Sequence, residues 1–462
     1  MTDDEALRTA LAIARAVRDA GGRGLFVGGW VRDRLLGHAG KDIDLEVYGL
    51  EIATVKALLE QAGSVNTVGE SFTVFKLGSL DVSIPRRESK SGRGHRGFEV
   101  TGDPWLSVRE ASRRRDFTIN AISWDPLTGV YEDPFDGRRD LDARLLRVVD
   151  PATFGEDSLR VLRALQFAAR FELRVDDESR QICRQIALDD LPSERVWEEI
   201  DKLLRRARRP SIGWHLAHDL GVLDRLFPEC VALVGCPQEP EWHPEGDVWT
   251  HTLMVVDEAR LRIDDLSHPE QVVMMLAAVA HDFGKPATTA LSEGRIRSPG
   301  HEEAGVEPTL SFLDRLNVHS LDGYDVRRQV VAIVANHLKP GMWHKAPAVG
   351  DAAFRRLALR VDLELLARLA EADCRGRTGS FDCGAMAWFR ERAQALGVEH
   401  RPPEPLLLGR HVLALGVRPG PLVGEILRQI YELQLDGRIA TFDAAQAHAQ
   451  QLVEESRSYG DR

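Results

Sequence analysis

The 462-residue sequence contains few cysteines and no long apolar run. Its five cysteines include no CxxC pair, so we expect neither a zinc knuckle nor a disulfide framework. No apolar stretch is long enough to cross a bilayer, and the N-terminus lacks the charged-then-apolar pattern of a signal peptide. We therefore expect a cytoplasmic protein that has no membrane partner.

The remaining composition is that of an ordinary globular chain, with 43% hydrophobic and 29% charged residues. A chain of this length exceeds what one hydrophobic core usually organises, so we expect two to four domains. The oligomeric state is left open by the sequence.

The net charge of −12 argues at first against a nucleic-acid partner, but the basic residues are clustered. Lysine and arginine concentrate at residues 86–96, 109–115 and 202–209. Such tracts fit local contacts with an RNA backbone, and the alternative is a set of solvated faces. The arginines that we predict to contact RNA are Arg86, Arg87, Arg93, Arg205 and Arg206.

The most informative stretch is residues 25–48, which read as a strand, a glycine turn, a short helix and a second strand. Gly28 and Gly29 follow the apolar end of the first strand, where backbone can approach a ligand closely. Arg32 follows in the first turn of the helix, where free backbone N–H groups and the helix dipole favour an anion. We predict that these residues bind phosphate.

The second strand carries acidic residues on one face. Asp42 and Asp44 alternate with apolar residues, so their side chains point the same way. Paired carboxylates suit Mg²⁺ in nucleotide chemistry, although an isolated pair of this spacing is more often a solvated strand face. Asp81, on a strand predicted at 80–84, could add a third carboxylate.

GGWVRDRLLG and KDIDL together resemble the signature of the class II tRNA nucleotidyltransferases and the related bacterial poly(A) polymerases, within the polymerase-β-like superfamily. The resemblance implies a head that transfers CMP and AMP from CTP and ATP to a tRNA 3′ end. It maps Asp81 and Arg86 onto the family's third acidic strand, and Arg115 and Asp116 in RRDFTINA onto its ribose-recognition motif.

EDSLR resembles the family's base-recognition motif, which implies that Asp157 and Arg160 select CTP and ATP. Arg163 lies one further helical turn along and can share their face. The alternative is a surface salt-bridge series on a helix over residues 153–173. A second helix is predicted at 193–209, capped by Ser193, and Arg195 matches the arginine of the family's last motif. Residues 89–97 read as a mobile basic loop.

Histidines accumulate after Trp242, at the ends of apolar helical runs. A mixed set of histidine and aspartate suits a divalent transition metal such as Ni²⁺ or Mn²⁺, whereas a single helix histidine is more often a core residue. HDFGK is similar to the signature of the HD-domain phosphohydrolases, which implies metal ligation by His251, His281, Asp282 and Asp373, a second metal at His301 and His337, and Lys285 near phosphate. The implied substrate is a 2′,3′-cyclic phosphate or a 2′-phosphate on an RNA end.

These patterns predict an α+β protein, a polymerase-β-like nucleotidyltransferase head followed by an all-α neck, an HD domain and a tail. The boundaries that we predict are 1–150 for the head, 151–237 for the neck, 238–380 for the HD domain and 381–462 for the helical tail. An enzyme that adds only CC or only A, a poly(A) polymerase, or an HD phosphohydrolase with an RNA-binding head remain alternatives.

Overall fold

The computed structural model describes residues 3–38, 43–68, 74–90, 98–346 and 349–460. These residues divide into two compact units, 1–228 and 229–462. No helix among the described residues is long and apolar enough to cross a membrane.

The first unit contains a sheet whose strand order is β3-β4-β5-β2-β1-β8-β9. The strand β2 is antiparallel to β1 and parallel to β5, so it lies at the centre of the sheet. A separate hairpin joins β6 to β7, and a short parallel pair joins β10 to β11. The strands are β1 (Arg23–Val27), β2 (Ile43–Tyr48), β3 (Asn66–Val68), β4 (Val74–Leu77), β5 (Leu80–Ser83), β6 (Arg86–Lys90), β7 (Phe98–Gly102), β8 (Ser123–Trp124), β9 (Tyr131–Glu132), β10 (Leu145–Leu146) and β11 (Arg174–Val175).

Helices of this unit pack on the sheet and on one another. The N-terminal helix α1 lies against β1, and α7 packs between α9 and α10. The buried side of α7 is apolar over most of its length, which explains why it forms the centre of the helical part. The helices are α1 (Asp3–Asp19), α2 (Gly29–Leu35), α3 (Ile52–Ala62), α4 (Val108–Arg113), a 3₁₀ turn (Thr118–Asn120), α5 (Gly137–Asp142), α6 (Pro151–Phe154), α7 (Leu159–Phe171), α8 (Asp177–Gln185), α9 (Ser193–Arg206), α10 (Ser211–Asp219), α11 (Val222–Leu226) and α12 (Pro228–Val231), which crosses into the second unit.

Three local predictions are wrong. The single helix expected over 153–173 is two helices, because the chain turns between Phe154 and Leu159. Pro192, not Ser193, precedes α9, and no side chain caps that helix. The start of the loop expected at 89–97 belongs to β6, while residues 91–97 lie outside the described residues.

The second unit is mostly helical, with the small antiparallel hairpin of β12 (Ala290–Ser292) and β13 (Arg295–Arg297). The helices α13, α14, α18 and α21 pack together around a strongly apolar core. The tail helices α23, α24 and α25 bury a cluster of their own. The helices are α13 (Val248–Arg260), α14 (His268–Ala280), α15 (Lys285–Thr288), α16 (His301–Ala304), α17 (Val306–Arg315), α18 (Val326–Val334), α19 (Lys339–Lys345), α20 (Asp351–Ala358), α21 (Leu363–Arg375), α22 (Gly384–Ala395), α23 (Gly409–Ala414), α24 (Pro421–Leu435) and α25 (Phe442–Gly460).

The structure also contains one disulfide, which the sequence did not indicate. Cys374, in the last turn of α21, is bonded to Cys383, which immediately precedes α22. The two cysteines are nine positions apart in sequence, a spacing that matches no metal or redox motif. The remaining cysteines, Cys183, Cys230 and Cys236, are buried thiols.

Candidate functional sites

A cleft of about 490 Å³ in the first unit brings together most of the residues predicted to bind nucleotide. Its walls come from the glycine turn after β1, from β2, from the segment around the 3₁₀ turn, and from α7 and α9. It is lined by Gly28, Gly29, Arg32, Asp44, Arg86, Arg114, Arg115, Asp116, Asn120, Asp157, Leu159, Arg160, Arg163, Gln166, Phe167, Arg170, Arg195, Lys202 and Arg206. Basic side chains outnumber acidic ones severalfold in that set, so the cleft suits a polyanion.

The glycine turn leaves room for a ligand at the floor of the cleft. Gly28 has a φ of 70°, a left-handed conformation that favours glycine. A Cβ at this position would lie 3.0 Å from Arg115 Nη1 and 3.4 Å from Asp44 Oδ2. Glycine therefore lets a carboxylate and a guanidinium approach the same point of backbone.

Arg32 lies in the wall of the cleft and is 5% exposed. Its Nε and Nη2 donate to Asp33 Oδ1 at 2.8 and 2.6 Å, and its Nη1 donates to Asn120 Oδ1 at 2.6 Å. The guanidinium carbon also lies 4.4 Å from the centre of the Phe171 ring. Three N–H groups are thus used to fix its position, and two remain for a ligand.

Two of the three predicted metal-binding aspartates are described, and they are neighbours in the sheet. Asp44 of β2 pairs in register with Asp81 of β5. Asp44 lines the cleft, whereas Asp81 is not in its lining and its carboxylate lies 3.5 Å from Lys76 Nζ. Asp42 lies outside the described residues. The carboxylate oxygens of Asp44 and Asp81 suit a hard divalent cation.

One carboxylate on the acidic face of β2 is buried, so this face is not an exposed row of acidic residues along its whole length. Glu46 is 1% exposed. It accepts from Tyr48 Oη at 2.7 Å and from Arg114 Nη2 at 3.2 Å, and Arg115 Nη2 lies 3.9 Å away. Burial opposes ionisation, but the charges of Arg115 and Arg114 and the tyrosine bond hold the pKa of Glu46 below its ordinary value. This carboxylate anchors the two arginines beside the cleft.

Asp116 is buried and fully engaged by protein groups. Its Oδ2 accepts from Arg163 Nε at 2.7 Å, and its Oδ1 accepts from the Phe117 amide and from Asn120 Nδ2. Burial raises the pKa of Asp116, but Arg163 and these bonds lower it below the ordinary value. Asp116 and Arg163, each predicted separately to bind nucleotide, thus form a part-buried ion pair at the cleft wall.

The two residues predicted to recognise the base lie close to the start of α7. Asp157 precedes the helix, and its carboxylate lies 3.6 Å from Arg195 Nη2 of α9. Arg160 donates through Nη1 to the Thr153 carbonyl and through Nη2 to the Arg114 carbonyl. Asp157 is oriented by Arg195 and by the Leu159 amide, which donates to its Oδ1 at 3.2 Å, and Arg160 is fixed by main chain.

The basic tracts divide between the cleft and the surface. Arg86 and Arg206 line the cleft. Arg87 pairs with Asp103 at 2.8 Å, and Arg205 pairs with an aspartate one helical turn earlier. Arg93 lies outside the described residues.

The sequence prediction missed several residues of the cleft. Gln166 and Arg170 come from α7, and Lys202 comes from α9. Burial and then the charge of Arg32 lower the pKa of Arg170 to about 10. Gln166 and Arg170 lie three and seven residues after Arg163, and Lys202 lies seven residues after Arg195. This helical spacing, which places them on the same faces as residues singled out from the sequence, was the available signal.

The second unit holds the predicted histidines in one buried cluster, which we call the histidine site (His251, His281, Asp282, His301, His337 and Asp373). Three of its imidazoles are held in the same way. The Nδ1 atoms of His281, His301 and His337 lie 2.9, 2.8 and 2.7 Å from the main-chain oxygen three residues earlier. Because a carbonyl can only accept, each Nδ1 carries a proton, and in the neutral form of each ring the Nε2 presents a lone pair.

These Nε2 atoms converge on Asp282. His281 Nε2 lies 3.2 Å from Asp282 Oδ2, and His301 Nε2 lies 3.3 Å from Asp282 Oδ1. His301 Nε2 and His337 Nε2 are 3.2 Å apart. Two nitrogen lone pairs at that distance repel unless a proton or a cation lies between them.

Asp373 closes the other side of the site. Its Oδ1 lies 3.0 Å from His251 Nε2 and 3.3 Å from Arg377 Nη2. Burial opposes ionisation, but Arg377 and His251 hold the pKa of Asp373 well below its ordinary value. Burial opposes ionisation of Asp282 too, but His281 and Lys285 hold its pKa well below the ordinary value. Both aspartates of the site are therefore anionic.

His337 is neutral at physiological pH. Burial, followed by the charges of His281 and His301, lowers its pKa to about 4. A neutral imidazole with its Nε2 turned into a buried anionic cluster is the form that binds a metal.

His243 and Glu245 belong to the same cluster and were not predicted. Glu245 Oε1 lies 2.9 Å from His251 Nδ1 and 2.9 Å from His243 Nδ1. Burial raises the pKa of Glu245, but its bonds with the two histidines lower it to about 2. A carboxylate behind a ligating histidine is a common orienting device, and the HPEGD run just before α13 was the available signal.

A cavity of about 230 Å³ opens onto the histidine site. Lys285 lines it and is 8% exposed. Its Nζ lies 2.7 Å from Asp282 Oδ2 and donates to Gln238 Oε1 at 2.7 Å. This arrangement supplies a cation beside the cluster, where a phosphate oxygen could bind.

The histidine site fits a transition metal on its own geometry. The buried His281 Nε2 makes no hydrogen bond within the described part of the chain, and Lys285 Nζ is the cation that contacts Asp282 Oδ2. Two sets of three residues place one donor atom each within 4.8 Å of one another, His251 with His281 and Asp282, and Asp282 with His301 and His337. Both sets combine imidazole nitrogen with one shared carboxylate.

Two parts of the chain match described families. Residues 25–147 match the poly A polymerase head domain, and residues 173–233 match the probable RNA and SrmB-binding site of polymerase A. The fold and cleft of the first unit are those of a nucleotidyltransferase of that class.

Full-length relatives narrow the assignment. The multifunctional CCA protein of Xanthomonas campestris pv. campestris (strain B100) is 37% identical over 441 residues, which cover 91% of this chain and 98% of that one. The multifunctional CCA protein of Stenotrophomonas maltophilia (strain K279a) is 39% identical over 374 residues, which cover 77% and 87%. The chain belongs to the multifunctional CCA protein family.

Solved structures share the fold. The CCA-adding enzyme of Bacillus stearothermophilus, crystallised with CTP, aligns with a TM-score of 0.65 at 22% identity over 99% of each chain. The CCA-adding enzyme of Thermotoga maritima, complexed with tRNA, aligns with a TM-score of 0.55 at 18% identity over 98% of this chain and 96% of that one. At these identities the likeness concerns architecture.

Proposed function

We propose that the protein adds CMP and AMP to the 3′ end of tRNA, with CTP and ATP as donors and pyrophosphate as the other product. The observation that carries the proposal is the cleft of the first unit, where the glycine turn, the carboxylate strand and the Asp157–Arg195 pair meet. The family relationship supports the same reaction. The cytoplasm, where tRNA is matured, is the proposed location.

The triphosphate would bind at the glycine turn. The Gly28 backbone leaves space there, and Arg32 retains two N–H donors after its bonds to Asp33 and Asn120. Arg115, held by Glu46, faces the same point. These cations would neutralise charge that develops on the leaving pyrophosphate.

Asp44, with Asp81 and Asp42, would hold Mg²⁺, which supplies activation of the attacking hydroxyl and charge neutralisation at the triphosphate. The register pairing of Asp44 with Asp81 supports a shared site. The pairing of Asp81 with Lys76 would have to yield to the cation.

The base would be read by Asp157 and Arg160 in place of a nucleic-acid template. An acceptor and a donor of fixed orientation can pair with the polar edges of cytosine and of adenine. Arg195 would keep the Asp157 carboxylate in position, while the main-chain bonds of Arg160 fix its guanidinium.

Nucleotide incorporation on defined tRNA ends tests this proposal. Transcripts that lack CCA, CA or A are incubated with CTP, ATP or both, and the products are resolved at single-nucleotide resolution. Completion on every transcript supports CCA addition. Addition of only CC or only A would identify a half-enzyme, and repeated incorporation of AMP alone would identify a poly(A) polymerase.

We also propose that the histidine site is a metal-dependent phosphohydrolase that acts on 2′,3′-cyclic phosphates or 2′-phosphates of RNA ends. This second proposal rests on the three Nε2 atoms around Asp282, whose rings are oriented by hydrogen bonds from Nδ1 to main-chain oxygens. A bound Ni²⁺ or Mn²⁺ would supply hydroxide near neutral pH. Lys285 would bind and orient the phosphate, and Glu245 would hold His251 in place.

Hydrolysis of 2′,3′-cyclic AMP in the presence of Ni²⁺, and its loss after chelation, tests the second activity. The matched control is CTP incorporation by the same preparation after Mg²⁺ is restored. Hydrolysis that persists in the Asp282→Asn variant would contradict the assignment of the site.

A further inference from the structure

The disulfide between Cys374 and Cys383 lies at the edge of the histidine site and has no part in the functions proposed above. Cys374 follows Asp373 directly in α21, so the bond starts one residue from an assigned member of the site. Cys383 is half-buried, whereas Cys374 is buried. Together they close a segment of nine residues, which we call the strap (residues 375–383).

The strap reaches the histidine site through Arg377. Arg377 Nη2 lies 3.3 Å from Asp373 Oδ1, and the residue lines the same cavity as Lys285. Its guanidinium carbon also lies 5.7 Å from the centre of the Phe381 ring, so one part of the strap stacks on another. Arg377 therefore adds a second cation at the place where a phosphate would enter.

The strap has few other anchors. The Thr378 amide donates to Glu245 Oε2 at 3.2 Å, and residues 378–380 are exposed. Its first end is fixed, because a Cβ at Gly376 would lie 2.6 Å from Val255 Cγ2 of α13. Closing a segment of about ten residues with a covalent bond removes much of the conformational freedom that it otherwise has.

We infer that Cys374 and Cys383 form a reversible redox site that fixes Arg377 over the histidine site, so that oxidation tightens phosphate binding there. The inference rests on the proposed phosphohydrolase. Disulfides in reducing compartments are usually transient and redox-sensing, which fits a single accessible bond beside a site better than a structural staple.

The exchange needs only a low-molecular-weight thiol and its disulfide. A thiolate attacks the Cys383 sulfur, forms a mixed disulfide and releases Cys374 as a thiolate, which takes a proton. A second thiolate then attacks the mixed disulfide, releases Cys383 and leaves as the small disulfide. Two electrons and two protons pass to the protein, and the reverse reaction restores the bond.

The consequence for the site follows from the charge of Arg377. In the reduced protein the second end of the strap is held only by its continuation into α22, and the 3.3 Å contact of Arg377 with Asp373 loses its covalent constraint. Loss of one charge-assisted bond to phosphate corresponds to roughly a tenfold or larger rise in KM. The turnover number should change less, since Arg377 binds the substrate and takes no part in the chemical step.

The experiment compares the full-length protein with and without reductant. Thiols are counted after denaturation, trypsin cleavage after Arg377 is followed by mass spectrometry, and the KM for 2′,3′-cyclic AMP is measured with Ni²⁺. We expect three reactive thiols in the oxidised protein, faster cleavage after reduction, and a KM that rises about tenfold. CTP incorporation by the first unit should be unchanged.

Variants separate the possible causes. Cys383→Ser should behave as the reduced protein at all times, Arg377→Gln should have a high KM that reductant no longer alters, and Ser380→Ala in the same strap should match the parent. Five reactive thiols under oxidising conditions, or identical cleavage and KM in both redox states, would overturn the inference. Redox-dependent cleavage without any hydrolysis would support the strap and reject the proposed hydrolase.

Discussion

Gly284, in the HDFGK run, is the position where a single methyl group should disable the histidine site. A Cβ there would lie 2.0 Å from the His301 carbonyl oxygen and 2.5 Å from the Gly305 nitrogen. Both contacts are main chain, so no side chain can rotate away. The backbone of α16 would have to move by about 1.5 Å to reach the roughly 3.5 Å at which non-bonded atoms attract.

That movement would displace a residue of the site. His301 begins α16, and its Nε2 now lies 3.3 Å from Asp282 Oδ1. A misplacement of about 1 Å can cost on the order of a hundredfold in rate. Overpacking of this kind usually costs about 1 to 3 kcal/mol of stability.

Gly284→Ala is therefore expected to lose about a hundredfold or more in hydrolysis of 2′,3′-cyclic AMP, to bind Ni²⁺ more weakly, and to lower the melting temperature by several degrees. CTP incorporation should persist below that temperature. Gly341→Ala is the matched control, because it lies in α19 with nothing within 4 Å of its Cβ. Normal hydrolysis and melting in Gly284→Ala would refute the reasoning.

Three further predictions concern single carboxylates. Glu46→Gln should lower the free energy of unfolding at neutral pH by roughly 3 kcal/mol, because two arginines lose a buried partner. Folding lowers the pKa of Glu46, so the stability that this carboxylate contributes is present above its ordinary value of 4.5 and is lost as the pH falls through the folded value. The free energy of unfolding of the variant, measured in denaturant melts, should therefore depend less on pH below about 4.5 than that of the parent. Asp157→Ala should reduce the preference for CTP and ATP over UTP and GTP by roughly tenfold or more, measured by competitive incorporation, while Lys76→Ala, away from the cleft, should not. Asp282→Asn should abolish Ni²⁺ binding in calorimetry and leave CTP incorporation intact; retained stoichiometric binding would contradict the ligand assignment.

The sequence alone predicted those parts of the candidate sites that depend on residues close together in the chain. The glycine turn, the alternating strand and the histidines at helix ends depend on spacing of a few residues. The structure places Gly28, Gly29 and Asp44 around the cleft of the first unit, and the histidines in one cluster of the second unit. The turn of the chain between α6 and α7 was missed because residues 153–173 carry an unbroken helical pattern. The Ser158 side chain, which donates to Asp190 Oδ1 at 2.7 Å, binds this turn to a distant loop.

Partners that are distant in sequence could not be predicted. Asp157 pairs with Arg195, Glu46 with arginines of another segment, and Cys374 with a cysteine that no motif connects to it. Each of these contacts depends on how helices and strands pack, and packing is set by the whole core rather than by neighbouring residues.

The central claim is that one cleft selects both CTP and ATP for the tRNA 3′ end, and the incorporation assay on tRNA lacking CCA tests it most directly. We expect two CMP additions followed by one AMP addition, with no further extension, and we expect the Asp44→Asn variant to lose all of these additions. Incorporation of a different series, or undiminished extension by Asp44→Asn, would contradict it.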